Sequence, residues 1–113
     1  MESYEQLAIR FKALGHPVRL QILDMLRCGE ACVCHIEAAL GKRQAYISQQ
    51  LMVLREAGLV EARKDGLQVY YRLTDSVTAE LLTMLFGAAP LQEQARLVGC
   101  SCPQCVVSLQ DIS

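Results

Sequence analysis

A glycine-bounded helix followed by a hairpin signal limits what this chain can fold into more than any other feature. Gly41-Lys42-Arg43 reads as a tight turn, residues 44–57 carry an apolar stripe of Ile47, Leu51 and Leu54, and Gly58 stands where a helix stops. Beyond it, residues 59–64 and 67–73 are extendable runs on either side of Asp65-Gly66, a strong short-range hairpin signal. Upstream, Leu7, Ala8, Phe11 and Leu14 recur at helical spacing until Gly15-His16-Pro17 breaks the period. Pro17 suits a first helical position, and Val18, Ile22, Leu23, Met25 and Leu26 continue as a second helix that Gly29 stops. Residues 30–34 are short and undecided, and residues 36–40 predict a third, short helix. Downstream, Thr74 or Asp75 can cap a helix reaching about Phe86, with Val77, Leu81, Leu82 and Leu85 on one side. Pro90 separates a weaker segment, 91–98, from a tail that is irregular by composition. The expected architecture is mainly α with a small β-hairpin, a winged helix-turn-helix over residues 1–98, followed by a cysteine-containing tail, 99–113.

At 113 residues the chain holds one hydrophobic core. Two Phe, four Tyr and no Trp make that core aliphatic. No apolar run approaches the roughly 20 residues of a membrane span. The acidic start, Met1-Glu2-Ser3-Tyr4-Glu5, lacks a signal-peptide apolar region. A cytoplasmic protein without a membrane partner is expected, in which thiols stay reduced and clustered cysteines read as metal or redox sites. Net charge is −1, yet residues 42–72 hold six basic and three acidic side chains while the remainder is acidic. A basic segment on an acidic body is the pattern of one face meeting phosphates.

In a winged helix-turn-helix the second helix of the pair enters the major groove, and polar side chains near its start meet base edges. Gln44, Ser48 and Gln49 have the hydrogen-bonding types for that role, with Gln suited to adenine. Tyr46, on the same helix, is a further expected DNA contact. Lys42 and Arg43 before the helix, and Arg63 and Lys64 on the hairpin, are the expected phosphate contacts. The alternative for this stretch is an ordinary surface helix with a solvated polar face. The hairpin and the local charge excess weigh against it.

Phe11-Lys12-Ala13-Leu14-Gly15-His16-Pro17-Val18-Arg19-Leu20-Gln21-Ile22-Leu23 resembles the opening helices of the arsenic-repressor (ArsR/SmtB) family of bacterial metal-sensing repressors. Leu40 to Leu51, then Leu54-Arg55-Glu56-Ala57-Gly58-Leu59-Val60, resembles its recognition helix, and Glu30-Ala31-Cys32-Val33-Cys34-His35-Ile36 its metal-binding box. The resemblance implies a homodimer built on the first and last long helices. That dimer would bind a palindromic double-stranded operator and be released by its inducer.

Six cysteines fall in two clusters, Cys28/Cys32/Cys34 and Cys100/Cys102/Cys105. Thiolates are soft ligands, preferred by thiophilic ions over oxygen. In a regular helix residues two apart point away from each other, so Cys32 and Cys34 are expected to chelate one ion only by leaving helical geometry. Ligation would then distort the entry to the helix packed against the DNA reader. Two donors do not close a site. Glu37 stands where the family's arsenic sensors often place a third cysteine, and His35 replaces the family's usual acidic residue. Cys100, Cys102 and Cys105, from the same or the other subunit, are the candidate further ligands. Three thiolates suit arsenite; four suit a tetrahedral soft cation. The family's other metal site is rejected, because of its residues only Asp75 is present, with Val77 and Ala88 where histidines belong.

Cys28 reads equally as a small buried hydrophobe or a ligand, and His35 is similarly open. His16, before Pro17, reads as a structural hydrogen-bonder. Tyr70 and Tyr71 occupy opposite strand faces, one for the core and the other free to touch DNA.

The expected function is a transcriptional repressor released when arsenite, or failing that Cd²⁺, Pb²⁺ or Zn²⁺, binds cysteine thiolates. No organic cofactor is expected. The alternative is a redox or persulfide sensor switching through a disulfide between Cys32 or Cys34 and the tail. A tail that merely clips a structural zinc is a further reading. An enzyme is not expected: Cys102-Pro103-Gln104-Cys105 has oxidoreductase-like spacing, but only eight residues follow it.

Overall fold

The computed structural model describes residues 3–88. Helix α1 (Tyr4–Leu14) opens on a reciprocal cap in which the Ser3 hydroxyl accepts from the Gln6 amide and the Gln6 side chain accepts from the Ser3 amide. Helix α2 (Pro17–Arg27) begins at Pro17, and His16 Nδ1 accepts from the Val18 amide at 3.2 Å, so His16 is a structural cap. Strand β1 (Ala31–Cys32) leads directly into α3 (Val33–Leu40). Gly41, at φ 62°, takes the left-handed conformation that turns α3 into α4 (Gln44–Glu56). Strands β2 (Val60–Asp65) and β3 (Gln68–Leu73) form the wing. Asp75 caps α5 (Ser76–Phe86) by accepting from the Thr78 amide at 3.1 Å.

Three expectations are corrected. The undecided stretch 30–34 contributes a third strand: β1 pairs antiparallel with β3, giving the sheet order β1-β3-β2. Two residues are too few for any period to register in sequence. The wing turn is Gly66-Leu67, because Asp65 already pairs with Gln68. Gly66 alone has positive φ, as a two-residue loop with Gly at its first central position requires. Third, neither tyrosine face is open. Tyr71 packs on the main core, whereas Tyr70, only 7% exposed, packs with Cys32 on the opposite side of the sheet.

The main core joins Ile22 and Leu23 of α2, Ile36 of α3, Ile47, Leu51 and Leu54 of α4, and Leu82 of α5. The α4 stripe is as expected. The α5 stripe splits: Leu82 is buried beside Thr78 and Leu81 is half-buried, while Val77 and Leu85 face outward with Met84 and Phe86. Helix α1 likewise exposes Ile9 and Phe11 and instead buries Arg10, which grips Asp75 through Nε at 2.8 Å and a second nitrogen at 3.1 Å. That ion pair fastens α1 to the start of α5. Arg27 fastens α2 to its end, donating to the Gly87 carbonyl at 2.7 Å. Among the described residues no helix is long and apolar enough to cross a membrane. Residues 91–98, the 98/99 domain boundary and the tail cysteines lie outside the described residues.

Candidate nucleic-acid interface and thiol site

Helix α4 buries Ile47, Gln50, Leu51 and Leu54, which turns Gln44, Ser48 and Gln49 outward on its exposed side. Lys42 and Arg43 are exposed just before it, and Arg43 occupies the N-cap without a side-chain cap bond. These five expected contacts therefore gather at one end of one helix, where amides and cations suit a phosphate oxygen. Tyr46 is set apart from them. It is half-buried against the core, with its hydroxyl 3.5 Å from His16 Nε2.

The two wing cations differ. Lys64 pairs across the ladder with Val69, and its side chain is exposed. Arg63 pairs with Tyr70, and its guanidinium stands 4.8 Å from that ring's centroid. It also makes a two-pronged contact with Glu30, one arm at 3.1 Å, and lies 3.6 Å from Asp65. The hydrogen bond to Glu30 is the main reason the Arg63 pKa is raised, opposed by desolvation and reinforced by the Glu30 and Asp65 charges. The bond from Arg63 holds the Glu30 carboxyl below its ordinary range, against partial desolvation and with help from the charges of Arg63 and Arg72.

The thiol pair is built by a strand-to-helix junction. Cys32 has extended backbone (φ −79°, ψ 159°) and is the N-cap of α3, its sulfur accepting from the His35 amide at 3.3 Å. Cys34 is already helical. The expectation that the pair must leave helical geometry to share an ion is thus corrected: Cys32 lies outside the helix, and the two sulfurs stand 2.7 Å apart. Cys34 Sγ also donates to Gln68 Oε1 at 3.5 Å, beside the wing turn. Cys32 is 1% exposed and pairs in the ladder with Tyr70. Cys28 caps the end of α2, its sulfur 3.9 Å from the Asp24 carbonyl oxygen.

The pair brings two soft donors together. Among the described residues no group of three or more His, Cys, Asp or Glu side chains is arranged to hold a metal. Any ion therefore needs donors from elsewhere. Asp75 is no such donor, since Arg10 and Thr78 occupy its carboxylate. Burial pushes the Asp75 carboxyl up, but hydrogen bonds from Arg10 and Thr78, with the Arg10 charge, outweigh it and leave the pKa lowered. Gln68 was not among the sequence candidates, and neither Glu30 nor Tyr70 was expected to contact the wing cation or the thiols. Gln68 and Tyr70 alternate on one face of β3, but nothing local says that this face covers the thiols.

Residues 16–62 match the model of the family described as bacterial regulatory protein, arsR family. The biofilm growth-associated repressor of Agrobacterium fabrum is 44% identical over 82 residues, covering 73% of this chain and 70% of that one. The arsenical resistance operon repressor of Staphylococcus aureus is 34% identical, with 74% and 80% covered. Among solved structures, the repressor BigR of Xylella fastidiosa superposes with a TM-score of 0.70 at 41% identity, covering 78% of this chain and 90% of that one. The homodimeric winged helix-turn-helix domain Mb0332 of Mycobacterium bovis gives 0.67 at 41% identity, with 72% and 75% covered.

Proposed function

Because this chain belongs to the arsR family of bacterial regulatory proteins, we propose that it is a homodimeric repressor released from its operator when a thiophilic metalloid or metal binds Cys32 and Cys34. It is a winged helix-turn-helix transcriptional regulator, and the relatives above are repressors and regulators rather than enzymes. The observation that carries the inducer reading is the strand-to-helix junction at the start of α3, which sets the two sulfurs side by side. Donors of this softness favour arsenite, then Cd²⁺, Pb²⁺ and Zn²⁺, over oxygen-seeking ions. Cys100, Cys102 and Cys105 complete the set in this reading: one more thiolate for arsenite, two for a tetrahedral cation. Base contacts fall to Gln44, Ser48 and Gln49, with Tyr46 supporting the helix from beneath. Phosphate contacts fall to Lys42, Arg43 and Lys64. The exposed apolar side chains of α1 and α5 supply the dimer face.

The alternative is a switch in which oxidant or persulfide joins Cys32 or Cys34 to a tail thiol as a disulfide. Fluorescence anisotropy on the DNA upstream of its own gene, under a reductant that does not bind metals, separates the two. Release by near-stoichiometric arsenite supports a three-thiolate metalloid sensor, and release by Cd²⁺ alone a four-thiolate cation site. Release only after oxidant or polysulfide supports the alternative. Cys34→Ser should keep DNA affinity within about threefold and lose release. Normal release of that variant sinks the site assignment.

A further inference from the structure

The thiol pair does not face the main core. Cys32, Cys34, Ala38 and Tyr70 form a small cluster on the outer face of the sheet. Three contacts run from that cluster into the wing. Cys32 is paired and packed with Tyr70, Cys34 touches Gln68, and Glu30, two residues before Cys32, clamps Arg63 over the Tyr70 ring. The circuit Cys32–Tyr70–Arg63–Glu30 closes on the segment that carries the thiols.

We propose that the thiol pair signals to DNA through the wing, with Glu30, Arg63 and Tyr70 as positioning residues that hold the hairpin against the thiol-bearing segment. The regulatory half of this rests on the thiol reading above; the positioning half does not. Cys32 is walled in by Tyr70, so a rearrangement of the pair on binding a thiophilic ion falls on Cys34 and on Gln68 beside the wing turn. The wing moves relative to α4, and phosphate contacts made from both elements no longer fit one DNA.

Arg63 decides the test, since a cation on a wing invites the simpler reading of a phosphate contact. Removing one cation that touches phosphate takes about 0.9 off the slope of log affinity against log salt. The full-length protein is titrated onto its upstream DNA across a salt series as wild type, Glu30→Gln, Arg63→Gln and the double variant. The expected result is an unchanged salt slope in every variant, with a threefold or greater drop in affinity that is the same in both singles and the double. Adding Cd²⁺ or arsenite, the singles should lose at least tenfold of the DNA release while Cd²⁺ binding to free protein, read by thiolate-to-metal absorption, stays unchanged. A slope lowered by about 0.9 in Arg63→Gln, independent additive effects, or full release in the singles would overturn the proposal. If the wild type responds to neither ion, the metal reading and the regulatory half fail together, while slope and additivity still decide the positioning half.

Discussion

Asp75 does three jobs with one carboxylate: it caps α5, accepts from Thr78 and pairs with buried Arg10. Replacing it by Asn keeps a capping side chain but removes the charge opposite buried Arg10, which should cost about 2–3 kcal/mol. Urea denaturation at fixed protomer concentration checks this. Its folded pKa lies below the ordinary 3.8, so its contribution is fully present above that value and is lost as pH falls through the lower folded one. Asp75→Asn should therefore flatten the acid limb of stability between those two values. At Cys32, Ser is a good helix cap and replaces a sulfur that already accepts from the His35 amide. Cys32→Ser should fold normally, hold DNA within about threefold and fail to respond to arsenite or Cd²⁺. Normal release in an anisotropy titration would place the responsive thiols elsewhere. That Asp75 can cap was legible in the sequence. Its buried partner 65 residues earlier was not, because no local pattern reports an ion pair between distant helices.

Among the elements, the proposed function divides the work of binding DNA between α4 and the wing. Gln49→Ala should cost about 1–3 kcal/mol on cognate DNA and little on random sequence, since bidentate base contacts carry discrimination. Lys64→Ala should weaken both alike and lower the salt slope by about 0.9. Equal losses for Gln49→Ala on both DNAs would take α4 out of the base-reading role. Helix α4 was legible because its stripe is long and its ends are marked by glycines. Strand β1 was not: it is a strand only because β3 lies beside it. That one missed element changed the chemistry, since it puts Cys32 in extended backbone and lets two thiols meet that a regular helix would hold apart.

At the scale of the whole molecule, Ile9 and Phe11 on α1 and Met84, Leu85 and Phe86 on α5 are more than half exposed. A monomer rarely leaves such an apolar set to water, whereas a two-fold dimer can cover it. Phe11→Glu should shift sedimentation toward monomer and weaken DNA binding at least tenfold, because half-sites read by one dimer are then read singly. A dimer surviving that change with full affinity would move the interface away from α1.

The sequence by itself determined the elements and the reader: helix periods, glycine stops, a hairpin signal and a row of polar side chains are all encoded within a few residues. It also singled out the cysteines as candidate ligands. Tertiary structure decided what those thiols touch. Arg63 changes from a free wing cation into Glu30's partner, Tyr70 from one of two undecided strand tyrosines into a wall behind Cys32, and Asp75 from a remnant of a metal site into an interhelical clamp. The reason is physical. Local periodicity records which side of an element avoids water, but pairings across a sheet or between helices depend on residues far apart in the chain, which no window of sequence contains.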